Sequence, residues 1–420
     1  MQPGGGWASN LLANDALILV AIAVTAFSLA ITYMGGLDFP LYMDEVDYWD
    51  QTLDFLALWP PTIGDLRSYG EPMTPLSFIY WSLVELGFGG GVPGLRISCI
   101  VISLATLLLI GGKVHTPGRR ALLCALGLLA YPYWVPLSMV IYTDVPAVFL
   151  SVLGLWLYAR GRGTWSAIAF VLSISTRQYM VTIPAALVAA ELASFVLQRR
   201  DWHPKRVVPM AVATGSLLAW LLFFGGLGPE PGLDVYPTHI EALSDITPAY
   251  GLYFLSCVGI YFVVPEFLLF RRWREPWPFP ATRRHLTIGA ILLAAFVAFP
   301  PPSDTIMGTL NRAALTILPA GQTGGVARIA LFAGLAWLTC VRFRHLDLIF
   351  WLLLGRALLM TVAWEGWEKY HLVVFASLWY LRSISDLQRP LELWRSAIET
   401  HSEEATARAA SQRVTRSSGP

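Results

Sequence analysis

Charge is scarce in this chain. Of 420 residues only 14% are Asp, Glu, Lys or Arg, while 55% are hydrophobic and mean hydropathy is +0.56. Soluble domains carry roughly 25% charge, so a soluble enzyme is excluded. With a net charge of +1, a disordered or nucleic-acid-binding chain is excluded too. Cysteine is nearly absent: Cys99, Cys124, Cys257 and Cys340 all lie in apolar runs, without a metal-ligand or redox spacing, and read as small core hydrophobes. No basic segment precedes the first apolar stretch and no small-residue cleavage site follows it, so that stretch is expected to remain as a helix. Neither G-x-x-x-x-G-K-[ST] nor a G-x-G-x-x-G behind a strand occurs. A membrane enzyme without such a nucleotide-binding unit must draw its substrates from the lipid. No internal repeat is present.

What the chain has is aromatic weight and apolar length. Its 17 Trp, 16 Tyr and 21 Phe suit a polypeptide that meets the membrane–water interface many times. Apolar stretches able to cross roughly 30 Å of hydrocarbon fall near 16–34, 92–112, 121–139, 145–159, 164–177, 180–197, 207–225, 248–270, 285–300, 326–341, 346–362 and 371–386. The expected fold is an all-α polytopic bundle of about 12 transmembrane helices over 16–386. A cytoplasmic N-terminus (1–15) and a polar cytoplasmic tail (387–420) flank it. Residues 75–88 form one further apolar piece, too short to span comfortably.

Charge placement orients this bundle. With a cytoplasmic N-terminus, the inner loops 113–120, 160–163, 198–206, 271–284 and 342–345, together with 382–420, hold 22 of the 29 Lys and Arg residues. Basic residues collect on the cytoplasmic side, and the asymmetry holds only if 75–88 does not cross. Parity then makes 35–91 one long outer loop. It places residues 60 and 235 outside and residues 116, 202 and 278 inside.

That outer loop concentrates acid: Asp38, Asp44, Glu45, Asp47, Asp50, Asp54, Asp65 and Glu71. From 46 to 57 the spacing predicts an amphipathic interfacial helix, with Val46, Trp49, Leu53, Leu56 and Ala57 on one face and Asp47, Asp50, Gln51 and Asp54 on the other. Pro60, Pro61, Pro72 and Pro75 separate it from 75–88, its flat or re-entrant partner.

Several outer-side residues carry two readings each. Asp44-Glu45, in YMDEVDYWD, is either a solvated cap on the interfacial helix or a base at the mouth of a membrane cavity. Asp144, in YTDVPAVF, is an N-cap followed by Pro146 or a supporting carboxylate on the same side. Arg177-Gln178, in STRQYM, either snorkels or binds a phosphate, which guanidinium matches well. Lys369, Tyr370 and His371, in WEGWEKYH, either anchor the interface with Trp364 and Trp367 or face a substrate. His239 and His371 are the outer-side histidines, and their spacing identifies no metal site. A divalent metal therefore stays open without support from ligand spacing, and no other cofactor is indicated. Arg356 is the charge deepest in an apolar run, expected to face a cavity or an acidic partner.

Taken in order, YMDEVDYWDQ, EPMTPLSFIYWSLVE, GLRISCIVISLATLLL, AYPYWVPLSMVIYTDVPAVF, AIAFVLSISTRQYMV and KYHLVVFASLWYLR span roughly residues 40–385. This series resembles the GT-C superfamily of integral-membrane glycosyltransferases, and within it the dolichyl-phosphoglucose-dependent α-1,2-glucosyltransferases of N-glycan precursor assembly. The family's L-A-D-N-R-H-Y-T-F-Y segment is not intact; GTLNRAALTIL, with Asn311-Arg312, is at most its remnant, and residues 226–247 echo the acceptor-side loop loosely. These departures leave sugar and acceptor open.

The resemblance implies an inverting transfer of a hexosyl or pentosyl group from a polyprenyl-phosphate sugar to a lipid-linked or cell-envelope glycan. The protein would lie in the plasma (inner) membrane with its site on the outer face. It makes Asp44 the general base with Glu45 beside it, and Asp144 a supporting carboxylate. Arg177, Lys369 and Arg96 become contacts to the donor phosphate, and Gln178, Tyr370 and His371 contacts to substrate. A flippase or secondary transporter of lipid-linked sugars is the alternative. A transporter has no need of a carboxylate-rich interfacial helix.

Overall fold

The computed structural model describes residues 5–112, 119–198, 202–235, 246–270, 282–301, 308–318, 321–363 and 365–384. The basic loop segments 113–118, 199–201 and 271–281, together with His239, Trp364 and the tail from 385, lie outside the described residues. Among the described residues every regular element is helical and there is no strand, as the long apolar stretches require when a backbone must satisfy itself in lipid.

Among the described residues, six helices have both the length and the apolar character to cross a membrane: α1 (Gly5–Met34, crossing from Asp15), α4 (Gly91–Gly111), α9 (Thr182–Gln198, extended by the turn before it), α10 (Pro204–Phe224), α12 (Pro248–Phe270) and α15 (Gly321–Arg342). The protein is therefore an all-α chain of membrane-protein character. The remaining apolar stretches carry shorter helices: α5 (Arg120–Leu129), α6 (Trp134–Ser138), α7 (Asp144–Ala159), α8 (Gly163–Ile174), α13 (Arg283–Ala298), α16 (Leu348–Met360) and α17 (Leu372–Ile384). The stretch 121–139 is not one helix. It breaks between α5 and α6, where Pro132 removes a backbone donor.

Helix α17 forms the centre, with every side chain from Leu372 to Ser383 buried. A helix apolar on all sides belongs inside a bundle, and α5 and α7 pack against it. Helix α12 packs on α15 and α16, and α9 on α16 and α10. Close approach is made by glycine, as in other membrane bundles. A Cβ on Gly127 would fall 2.5 Å from the Trp379 ring, and one on Gly259 2.3 Å from the Leu335 carbonyl oxygen. Gly259 also opens a π-helical turn, Gly259–Val263, that interrupts α12.

The acidic segment holds two short helices, α2 (Glu45–Ala57) and α3 (Leu76–Phe88), packed on each other. Both were expected as non-spanning pieces, and the packing shows which face α2 gives to the protein. Tyr48, Gln51, Thr52 and Phe55 are buried, while Val46 and Leu53 are exposed. The aromatic rings decide this: Tyr48 stacks on Trp81 and meets Phe78 and Tyr142 edge-on, so the polar Gln51 is carried inward, where its Oε1 accepts from the Gly70 N–H. The apolar Val46–Leu53 face is left outward, as an interfacial helix requires.

Candidate functional site

Met43 is the sole described non-glycine residue in the left-handed backbone region, with φ 50°. A bulky residue held there costs energy and is found where the surrounding structure fixes a site. The turn delivers Asp44 to the start of α2, yet its carboxylate makes no cap hydrogen bond. It turns away from the helix and accepts from the Lys369 Nζ at 2.9 Å. The Tyr142 hydroxyl donates to it as well. Burial alone would raise the Asp44 carboxyl. The Lys369 ammonium and, further off, the Arg177 guanidinium reverse that and hold it below the ordinary aspartate value.

Lys369 comes from a 3-10 turn, Glu368–His371, that leads into α17. Its ammonium lies over the Trp367 ring at 3.7 Å. The turn is fixed by Glu368, whose carboxylate accepts from the Tyr253 and Tyr261 hydroxyls and from the backbone N–H groups of Thr309 and Leu310. Those two N–H groups open α14 (Thr309–Ile317), so a carboxylate caps a helix N-terminus. Asn311 and Arg312 are thus brought beside the turn that carries Lys369. Asn311 is buried there and Arg312 is exposed.

Arg177 sits at the break between α8 and α9. Its Nη2 donates to the Asp144 carboxylate at 3.1 Å and to the Tyr48 hydroxyl at 3.1 Å. Asp144 is fully buried, begins α7, and also accepts from the Tyr179 hydroxyl. Thr143 takes the N-cap position, so Asp144 serves as counter-ion rather than as a cap. The Nε of Arg177 is buried without a partner among the described residues. Arg356, near the end of α16, shares that feature: its guanidinium donates to the Tyr179 and Tyr370 carbonyl oxygens and lies over the Tyr179 ring, with Nε unpartnered. The start of α2, the start of α7, the α8–α9 break, the end of α16 and the start of α17 therefore meet at one end of the bundle.

This end of the bundle holds a cavity of about 410 Å³, which Asp144, though bonded to Arg177, does not line. Asp44, Glu71, Arg177, Arg356 and Lys369 supply its ionisable groups, joined by Gln178 and Tyr370. Leu217 and Leu221 of α10, and Leu359 and Met360 of α16, give it an apolar wall. Gln178 is occupied with the backbone, donating to the carbonyl oxygens of Pro72 and Leu227.

Three expected site residues lie elsewhere. Glu45 and Arg96 are fully buried and bound to each other: Nη2 meets Oε2 at 2.6 Å and Nε meets Oε1 at 2.9 Å. The remaining Arg96 donors reach the carbonyl oxygens of Leu37 and Phe39, and the ring of Phe39 lies 3.5 Å from the guanidinium carbon. Neither residue has a group left for substrate. The pair instead pins the start of the outer segment to α4. His371 is likewise buried, against Phe254, and does not line the cavity.

A stability prediction follows from that pair. Arg96→Leu is expected to destabilise the fold by roughly 3–5 kcal/mol by leaving Glu45 buried and uncompensated. The double variant Glu45→Leu/Arg96→Leu should recover much of the loss. Thermal unfolding in detergent measures both. Normal stability of Arg96→Leu with weakened lipid-phosphate binding would return Arg96 to the donor site.

Sequence spacing did not single out Glu71, Tyr48, Tyr142 or Tyr179 as site residues. Glu71 is 5% exposed and lines the cavity. Burial, with Asp47 and Asp44 nearby, pushes its carboxyl up to about 8. Its signal in the sequence is EPMTP, an acid fixed beside two prolines, but eight other acids lie in the same loop.

No protein-family model matches the chain, and no curated protein or solved structure does.

Proposed function

We propose that this chain is an inverting glycosyltransferase of GT-C type that moves a sugar from a polyprenyl-phosphate donor to a lipid-linked or envelope glycan on the outer face of the plasma membrane. The observation that carries the reading is the cavity's two-part lining, in which Asp44, Arg177, Arg356 and Lys369 adjoin a wall of leucines and Met360. An amphiphile with a phosphate head and a hydrocarbon tail matches that division. In this reading the twelve apolar stretches all cross, and α2 and α3 lie in the outer interface.

The chemistry is as follows. The acceptor hydroxyl attacks the anomeric carbon while the bond from that carbon to the phosphate oxygen breaks. Asp44 takes the hydroxyl proton, and the lipid phosphate leaves with its extra negative charge. Lys369 and Arg177 stabilise that charge where it grows. Asp44 in the unliganded site is a weak base, because Lys369 is bonded to it. A donor phosphate competes for the same ammonium and thereby raises the basicity of Asp44 when substrate is present. No second acid is required, since phosphate is a competent leaving group, unlike the sugar oxygen of a glycoside.

The test is transfer by the purified protein in lipid nanodiscs from synthetic polyprenyl-phosphate sugars. Nucleotide sugars serve as the second arm, since the chain has no phosphate-binding loop to hold them. Turnover of the prenyl donors alone is the expected result. Saturable, protein-dependent flipping of the same lipids without transfer would replace this reading by the transporter one.

A further inference from the structure

The cavity's two carboxyl groups are not equivalent. Asp44 is bonded to Lys369, whereas the Glu71 carboxylate bonds to none of the described residues. It is nevertheless buried and lines the same cavity. Its backbone is held tightly. A Cβ on Gly232 would fall 2.5 Å from the Glu71 carbonyl carbon, and one on Gly228 2.7 Å from the Pro72 oxygen, so the 228–235 segment lies directly on residues 71–72. Gln178 ties Pro72 to Leu227 from the other side.

The groups that act on Glu71 are Asp47 and Asp44 on the α2 side and Arg177 at the α8–α9 break. Tyr48 and Tyr69 face it as neutral phenols, and Glu230 and Asp234 of the overlying segment are exposed. A rigid, unpaired carboxyl among other acids is disfavoured as an anion and, kept neutral, suits a neutral polar partner. Buried polar groups require hydrogen bonds, and a polar ligand is what the described residues leave room for.

We propose that Glu71 is a binding residue for the hydroxyl groups of a glycan substrate, acting as an uncharged carboxyl that both donates to and accepts from a sugar hydroxyl. The proposal rests on the glycosyltransferase reading and assigns the sugar-binding part of that cavity. It separates this group from the cations, which take the phosphate.

The experiment measures equilibrium binding of two labelled probes, a C15 prenyl phosphate and dodecyl maltoside below micellar concentration, to protein in nanodiscs. Wild type, Glu71→Gln and Glu71→Leu are compared. Gln copies a protonated Glu in shape, donor and acceptor, so Glu71→Gln should bind the maltoside within about twofold of wild type, and Glu71→Leu about tenfold more weakly. Prenyl phosphate should bind all three alike below pH 8. Above it, only wild type should weaken, because only wild type gains an anion as the pH rises through the Glu71 value of about 8. Equal maltoside binding by Glu71→Leu and wild type overturns the proposal. So does a Glu71→Gln protein as weak as Glu71→Leu, which would mean a carboxylate is needed, and so does the absence of saturable maltoside binding. If the maltoside series behaves as expected while prenyl phosphate binds to none, Glu71 keeps its role and the lipid-phosphate donor is what fails.

Discussion

Asp44→Asn is expected to lower transfer by about 10²–10⁴ while leaving the protein folded and able to bind its prenyl-phosphate donor. The amide preserves size but cannot accept the acceptor's proton. Its fold should survive because Asp44 is partly exposed, with 36% of its side chain accessible, and makes no cap bond to α2. The pH dependence adds a second check. Lys369, together with Arg177, holds the Asp44 carboxyl below its ordinary value, so the base stays ionised to lower pH than a solvated aspartate. The acid limb of kcat/KM for the free protein should lie correspondingly low. Lys369→Gln removes the first of those cations and leaves the desolvation, so the limb should move to higher pH. Unchanged turnover by Asp44→Asn would remove the base from the mechanism. An acid limb that Lys369→Gln does not move would assign the limb to another group.

Some of this site could be read from sequence and some could not, and the adjacent carboxylates show why. Asp44 and Glu45 read as one acidic pair, but successive positions on a helix do not face the same way. One carboxylate turns to the cavity and Lys369, and the other turns inward to Arg96. The side on which Asp44, Asp144, Arg177 and Lys369 were placed rested on the parity of apolar stretches and on the basic loops. Hydrogen bonds now join them two by two at one end of the bundle. Which pairs form was not legible: Lys369 lies 325 positions from Asp44, and nothing local to WEGWEKYH names its partner. Glu71 was hidden for a different reason. Its distinction is the absence of a cation near enough to bond, which is a property of the packed loop and not of its neighbours in sequence. Helix α2 was legible in extent and in its apolar stripe, which faces outward; the inward face set by Tyr48 and Phe55 was not, because it depends on the rings of Phe78, Trp81 and Tyr142.

The Asp144 contact changes what mutation of Arg177 tests. Among the described residues, Arg177→Ala alone leaves Asp144 fully buried with its carboxylate bonded only to the Tyr179 hydroxyl, and an uncompensated buried charge costs roughly 3–5 kcal/mol. Loss of activity in that variant would report on folding as much as on the donor. The informative protein is Arg177→Ala/Asp144→Ala, which deletes both charges and leaves none stranded. We expect it to fold, with a thermal midpoint close to that of wild type, and to need about 10- to 100-fold more donor for half-maximal transfer, the loss of one charge-assisted contact to phosphate. Arg177→Lys should fall between, since an ammonium keeps the charge but cannot hold Asp144 and Tyr48 from one nitrogen while directing Nε elsewhere. Donor titration at saturating acceptor separates these effects from acid–base loss, which lowers kcat without raising the donor requirement. If the double variant uses donor as wild type does, Arg177 is only the counter-ion of Asp144. The phosphate then belongs to Lys369 and to Arg356, whose Nε is also buried without a partner among the described residues.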